Sequence, residues 1–414
     1  MSYFSFSLSL KFRQALSLLL FLLVVGQANA QEQEQEQENG LEVYGFIKID
    51  IGYNFDQLDP NWFETMRVTK LPKYENQFGP NGNIFFSVRE TQVGINTRVQ
   101  TPLGQLKSKF EFDLFGSGPD EGQTTFHFRK AYAELGRLLI GQTESTFTDT
   151  DVSPKILDYG APSSRPWLRN IQLRYTNDSE QQRWAIALEQ PDVTSDEGVY
   201  ADRIELQNVK PEFKVPDLTA EYRKMIQNGY VELAGVLKWI RWENTGNASI
   251  DLSGEEVGWG FNISSIKQLN RQTLFKGQFV VGKGIQNHLT DAAANIGIEN
   301  NFDNPSTPIL GVALPVVGGF AFLEHKWTPT WSSTLGYSRV RIYNSDAQAA
   351  HAFKNSHYAI LNLLYQPFSA LLAGTELQWG KRNNFSDGFD SSAVKIHFSL
   401  KYSFSHTVSK NGNK

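Results

Sequence analysis

The chain has 414 residues, with 39 Lys and Arg against 44 Asp and Glu, a formal net charge of -5 and no cysteine. The missing thiols exclude disulfides, Cys-ligated zinc and thiol catalysis, and the charge balance offers nucleic acid no basic surface. Beyond residue 30 no run approaches the ~18 continuous apolar residues of a membrane helix, which leaves a secreted soluble protein or a membrane β-barrel, whose alternating strands look polar on average.

Residues 1–30 have the layout of a secretory signal peptide: Lys11 and Arg13, an apolar run from Ala15 to Val25, and small residues ending at Ala28-Asn29-Ala30. Residues 31–41 follow as a Gln/Glu-rich leader with almost nothing apolar to bury, a solvated and disordered spacer or a short interaction tail. From there to residue 404 the period is two, and residues 405–414 read as a C-terminal tail.

The alternation is plain along the whole chain. Val43, Gly45, Ile47, Ile49 and Ile51 share one face, with Tyr44, Phe46, Lys48 and Asp50 on the other. Leu106, Ser108, Phe110, Phe112 and Leu114 alternate with Lys107, Lys109, Glu111 and Asp113. The pattern returns at Leu233, Leu237 and Trp239, at Phe275 and Phe279, and at Val394, Ile396, Phe398, Leu400, Tyr402 and Phe404.

Marking every such run predicts an all-β transmembrane antiparallel barrel of about sixteen strands, an up-and-down meander. The predicted starts are Glu42, Ile84, Gly104, Thr124, Arg137, Leu168, Gln182, Pro216, Gly229, Glu255, Arg271, Val317, Trp331, Asn355, Ala370 and Ser392. Tight connections such as Pro102-Leu103, Gly136 and Gln227-Asn228 alternate with long ones such as 56–83, 148–167, 191–215 and 286–315. Short periplasmic turns and long extracellular loops produce that parity; a soluble sandwich has no reason to. Tyr53, Tyr132, Tyr175, Trp242, Trp259, Trp327, Tyr343, Tyr365 and Trp379 lie near strand ends, where interfacial girdles of aromatics belong.

If the apolar face meets lipid, Lys48, Arg98, Lys107, Lys109, His127, Arg129, Arg174, Arg223, Lys238, Lys276, Lys395 and Lys401 point inward, among Asp50, Glu90, Glu111, Asp113, Glu221 and Glu376. The expected interior is charged and water-filled, and clustered Arg and Lys lower the barrier to anions. The segment 148–167 carries Asp149, Asp151, Lys155, Asp158 and Arg165; it is a constriction loop or a surface loop against a neighbouring subunit. No nucleophile elbow or HExxH occurs, Val281-Gly282-Lys283-Gly284 lacks the spacing of a phosphate loop, and the histidines have no ligand spacing. The expectation is therefore no enzyme, no cofactor and no metal.

Several segments resemble the DcaP-like trimeric outer-membrane porins. They are Val43-Tyr44-Gly45-Phe46-Ile47-Lys48-Ile49-Asp50, Arg89-Glu90-Thr91-Gln92-Val93-Gly94, Arg129-Lys130-Ala131-Tyr132, Leu157-Asp158-Tyr159-Gly160 and Gln172-Leu173-Arg174-Tyr175-Thr176. Gly258-Trp259-Gly260 and Trp379-Gly380-Lys381-Arg382 extend the likeness into the second half. The resemblance implies a sixteen-stranded homotrimeric porin for small organic acids, notably dicarboxylates, with an arginine-rich constriction. It places the inward basic residues at Arg89, Arg129, Arg165, Arg169 and Arg174; with the alternation, the expected pore-lining set is Lys48, Arg89, Arg98, Lys109, Arg129, Arg165, Arg169, Arg174 and Arg223. Gln92 and His127 stand where the family carries basic residues, which reduces fixed positive charge.

Together these readings predict passive diffusion of small anionic solutes through a Gram-negative outer membrane. The expected partners are outer-membrane lipid, the solute, two further copies of the chain and the barrel-assembly machinery, which would read the terminal aromatic Phe404. A non-conducting structural barrel or an outer-membrane enzyme is the alternative within the fold, and a secreted β-rich binding protein the alternative outside it.

Overall fold

The computed structural model describes residues 39–246 and 250–409. The expected signal peptide and nearly all of the leader lie outside the described residues. The first strands are β1 (Gly40–Asn54), β2 (Asn83–Ser87), β3 (Gln92–Thr101), β4 (Gly104–Phe115), β5 (Thr124–Leu135), β6 (Leu138–Glu144), β7 (Arg169–Asp178) and β8 (Gln182–Glu189). Then come β9 (Val209–Glu212), β10 (Asp217–Ile226), β11 (Gly229–Asn244), β12 (Gly254–Gln268), β13 (Thr273–Lys283), β14 (Ile296–Asn300) and β15 (Ile309–Ala313). The last five are β16 (Pro315–Lys326), β17 (Trp331–Ile342), β18 (Phe353–Phe368), β19 (Leu371–Asn384) and β20 (Asp390–Ser409).

β2 and β3 both pair with β1, and β9 and β10 both pair with β11, so each couple is one interrupted stave of the barrel. The hairpin β14–β15 stands apart from the wall. What remains is a closed antiparallel barrel of sixteen staves. β1 closes it against β20 in unbroken register from Gly40↔Ser409 to Asn54↔Lys395, which removes the sheet edges.

Every predicted start lies within two residues of the strand observed. The parity of connections is strict: 102–103, 136–137, 179–181, 227–228, 269–272, 327–330 and 369–370 are short, and the connections between them are longer. Asn228 and Gly136 sit at φ 62° and 57°, the left-handed conformation that tight hairpins require.

Four expectations need correction. The barrel extends beyond 42–404, from Gly40 to Ser409, so half of the expected tail is strand; pairing with β1 holds it there. Tyr132 lies opposite Lys109 on the lumen face. Trp242 shares the inward face of Ile240 and donates its indole N–H to the Leu252 carbonyl at 2.8 Å. Position near a strand end does not decide the face; parity does. Lastly, the interior is not charged and watery throughout.

Apolar cores fill one side of the lumen. Val236 of β11, Val280 of β13, Val316 of β16, Val340 and Ile342 of β17 and Phe353 of β18 enclose Phe147, Ile285, Leu289 and Leu314 from inward-folded loops. A second cluster packs Leu58, Met66, Val68 and Leu71 of the loop 55–82 against Phe320, Phe322, Tyr358 and Ile360. Inward-facing glycines make the approach possible. A Cβ on Gly260 would lie 2.6 Å from Ile285 Cδ1, one on Gly318 2.8 Å from Ser164 Cβ, and one on Gly380 2.8 Å from Val68 Cγ1.

Candidate functional site

The loop 145–168 crosses the lumen and is tied to walls on several sides. Near its start, Tyr230 donates to the Asp149 carboxylate at 2.8 Å, and Arg223 contacts the same carboxylate at 2.9 Å. Midway, the Leu157 and Asp158 amides donate to the two oxygens of Glu376 at 2.8 and 3.1 Å. Lys48 Nζ donates to the Leu157 carbonyl at 2.8 Å. Near its end, Ser163 and Ser164 meet the Ser338 hydroxyl at 3.2 and 3.1 Å. The loop is thus the constriction element, held by wall groups that need a partner once buried.

Two further loops join it. The Trp167 amide donates to the His288 carbonyl at 2.7 Å, and the Thr290 amide to the Arg165 carbonyl at 2.8 Å. Arg67 and Asp291 bridge the loops 55–82 and 284–314 at 3.2 Å. These contacts lay outside the sequence reading, because nothing in a polar loop says which way it folds.

Between the constriction loop and the strands β1, β3 and β5 a cavity of about 310 Å³ remains. Arg129, Arg165 and Arg169 line it, with Glu90, Gln92 and Asp158 and the rings of Phe46, Trp62, Tyr159 and Trp167. Its cations differ in how far they are neutralised. Arg129 is clamped by Glu111 at 3.1 Å and Asp113 at 2.6 Å. Arg165, 7 % exposed, makes no ion pair among the described residues. Its Nη1 donates to Ser153 Oγ at 3.1 Å, and its guanidinium lies 4.2 Å from the Trp167 ring centre. Arg169 opens β7 without an ion pair or a side-chain hydrogen bond among the described residues. Burial lowers the Arg165 guanidinium to about 10, and burial pushes the Tyr159 hydroxyl up to about 12. Both keep their ordinary charge states near neutral pH.

The remaining predicted positions are scattered around this cavity. Lys48 is buried between Glu90 at 2.7 Å and Asp50 at 3.3 Å. Arg89 is buried against Glu64 of the loop 55–82 at 2.9 Å. Arg223 is held by Asp149, Asp151 and Glu232 at 2.9, 2.5 and 2.7 Å. Arg174 borders a second cavity, of about 430 Å³, with Arg137, Arg183, Glu144 and Glu221. It bonds to Gln172 and to the Glu144 carbonyl. Lys109 sits 5.0 Å from the Tyr44 ring centre, and Arg98 is exposed at the periplasmic end of β3. Of the departures from the family pattern, Gln92 lines the first cavity, and His127 contacts Asp113 at 3.0 Å. No cluster of metal-ligating side chains occurs among the described residues.

A closed sixteen-stave barrel, apolar outside and narrowed by an inward loop over a cationic cavity, defines an outer-membrane channel of the porin class. The profile of the DcaP outer membrane protein family matches residues 16–272, well over half of the chain. The chain belongs to that family. Among solved structures, the outer membrane channel DcaP of Acinetobacter baumannii is similar over 90 % of this chain and 99 % of its own, with TM-score 0.72 and 19 % identity. OmpT, an outer membrane protein of Vibrio cholerae, aligns over 91 % and 100 %, with TM-score 0.55 and 11 % identity. An anion-selective porin from Comamonas acidovorans aligns over 89 % and 100 %, with TM-score 0.57 and 9 % identity. At these identities the likeness carries the fold alone. No curated protein matches the chain.

Proposed function

We propose that this porin passes small organic anions, dicarboxylates among them, by passive diffusion, and that Arg129, Arg165 and Arg169 form its selective constriction. The observation that carries the proposal is Arg165: a guanidinium buried beside the channel cavity with no direct ion pair among the described residues, Asp158 of the same lining acting on it only at longer range. A cation in a low-dielectric cavity that no carboxylate contacts directly attracts anions and repels cations. Arg169 adds a second unpaired guanidinium, and planar guanidinium groups match carboxylate oxygens bidentately. Lys48, Arg89 and Arg223, tied to acids, shape the wall; Arg98, Lys109 and Arg174 supply positive potential outside this cavity.

Export by the signal peptide, insertion by the barrel-assembly machinery and assembly as a homotrimer belong to the same reading. It is supported by the family and by a porin-like structure described as a trimer form of OmpT. The apolar cores that fill part of the lumen favour a second reading, a non-conducting structural barrel.

Planar-bilayer recording under a salt gradient separates the two. The porin reading expects stepwise conductance, a reversal potential on the anion side and block by an added dicarboxylate such as succinate. The variant Arg165→Gln/Arg169→Gln should lower the anion-to-cation permeability ratio several-fold. Folded protein without conductance rejects the porin; conductance indifferent to the double variant rejects the constriction.

A further inference from the structure

Parity leaves three cations and a histidine on the lipid side of the barrel. On β17, Arg339 and Arg341 share the outward face of Leu335 and Tyr337, which are 56 % and 43 % exposed. On β18 the outward face carries His357, and on β19 Lys381. Register aligns them: Arg339 lies opposite His357, and His357 opposite Lys381. Arg339 and Lys381 thus flank one histidine from either side, and Arg341 lies two residues from Arg339, a crowding of like charge that is unfavourable if nothing neutralises it.

Little within the chain does. Lys381 meets Asp390 at 3.1 Å, and the Tyr337 hydroxyl is hydrogen-bonded to His357 Nδ1. Arg341 lies 4.8 Å from the Tyr343 ring centre, its Nε buried without a hydrogen-bond partner. Arg339 is exposed and forms no ion pair or side-chain hydrogen bond among the described residues. The group is therefore short of anions on its own surface.

Its height points to the missing partner. β17 leaves a short turn at Trp331, so Arg339 lies eight residues up the wall. At ~3.3 Å per residue and a tilt of ~40° that is roughly 20 Å along the barrel axis, near the outer rim of an apolar band about 25 Å tall. Beneath the cations are the lipid-facing Leu335, Leu361, Leu363 and Leu377, and beside them Trp379. Apolar side chains topped by unpaired cations and an interfacial Trp complement an amphiphile with buried acyl chains and an anionic headgroup.

We propose that Arg339, Arg341, His357 and Lys381 form a docking site for the phosphorylated glycolipid of the outer leaflet, with Arg339 and Arg341 gripping a lipid A phosphate. The guanidinium pair supplies bidentate donors to phosphate oxygens, and Lys381 adds a point charge at the edge.

The test uses the full-length detergent-solubilised barrel, its folding checked by heat-modifiable gel mobility. Diphosphorylated lipid A, enzymatically dephosphorylated lipid A and phosphatidylglycerol are titrated in turn and bound lipid is read by native mass spectrometry. The expected result is saturable binding of diphosphorylated lipid A, weakened at least tenfold in Arg339→Gln/Arg341→Gln and unchanged in Lys267→Gln, which removes a cation near the opposite rim. Arg339→Gln alone, which removes no hydrogen bond or ion pair, serves if the double variant misfolds, and should weaken binding several-fold. Equal binding of dephosphorylated lipid A or of phosphatidylglycerol overturns the proposal, as does unchanged affinity in the variants. Dissociation of an oligomer by the same variants also overturns it, because the missing anion would then be a carboxylate of a second copy.

Discussion

The two sides of the lumen are built from the same alternating strands and hold opposite contents. On β1, β4, β5 and β10 the inward residues include Lys48, Asp50, Glu111, Asp113, Arg129, Glu221 and Arg223, knitted by ion pairs around open cavities. On β11, β13 and β16 to β18 they include Val236, Val280, Val316, Phe320, Phe322, Val340 and Ile360, sealed against loops. The packed side anchors the loops, while cavities of about 310 and 430 Å³ border the charged side, which is the path under the proposed function. A porin of this build narrows its pore with a small hydrophobic core.

If that division is right, damage to the packed side should cost stability and leave selectivity intact. Phe322→Ala, at a position 1 % exposed, should destabilise the barrel by about 4 kcal/mol, the cost of a cavity at a buried aromatic. Thermal loss of the compact gel form measures it, and a changed reversal potential in the surviving folded fraction would break the comparison. On the charged side Arg223→Met strands Asp149 and Glu232, which share its guanidinium. The expected cost is ~3 kcal/mol, because the uncompensated buried charges remain, and here the reversal potential should also move toward cations.

Gly318→Val tests the junction between the two sides. Its Cβ would stand 2.8 Å from Ser164 Cβ, so the constriction loop must shift. Overpacking of this kind costs roughly 1–3 kcal/mol, and the single-channel current should change in size more than in ion preference. The smallest effect concerns pH. Burial lowers Arg165 only to about 10, so it stays charged below that value, and anion selectivity should be flat between about pH 6 and 8. A fall across that range, read from reversal potentials, would mean that a different group sets the selectivity.

Much of the architecture was legible because a barrel strand declares itself locally. The run Leu106 to Leu114 shows its two faces without reference to any neighbour, and turns such as Gln227-Asn228 mark where it must end. The inward cations Arg129 and Arg223 followed from parity alone. Arg165 and Arg169 did not, since they lie in or beside a loop that has no period; the charge of that loop marked it as a constriction candidate, and only the family resemblance turned the two arginines inward. The apolar side was missed for a related reason. Val236, Val280 and Phe322 alternate with outward apolar residues, so their strands read as continuously hydrophobic and hide which face is sealed by a loop.

What the sequence determined by itself is the wall: the number of staves, their parity, the closure and, Tyr132 and Trp242 apart, which side chains face lipid. Side-chain period and turn chemistry are local properties, and a closed ladder satisfies them in one way. What only the tertiary structure decided is the contents of the barrel. The loops 55–82, 145–168 and 284–314 meet inside through contacts between residues far apart in the chain, such as Arg67 with Asp291 and Leu157 with Glu376. Whether Arg165 ends in a direct ion pair or beside a cavity with only Ser153 and Trp167 in contact depends on how those loops pack together, and no local pattern encodes that.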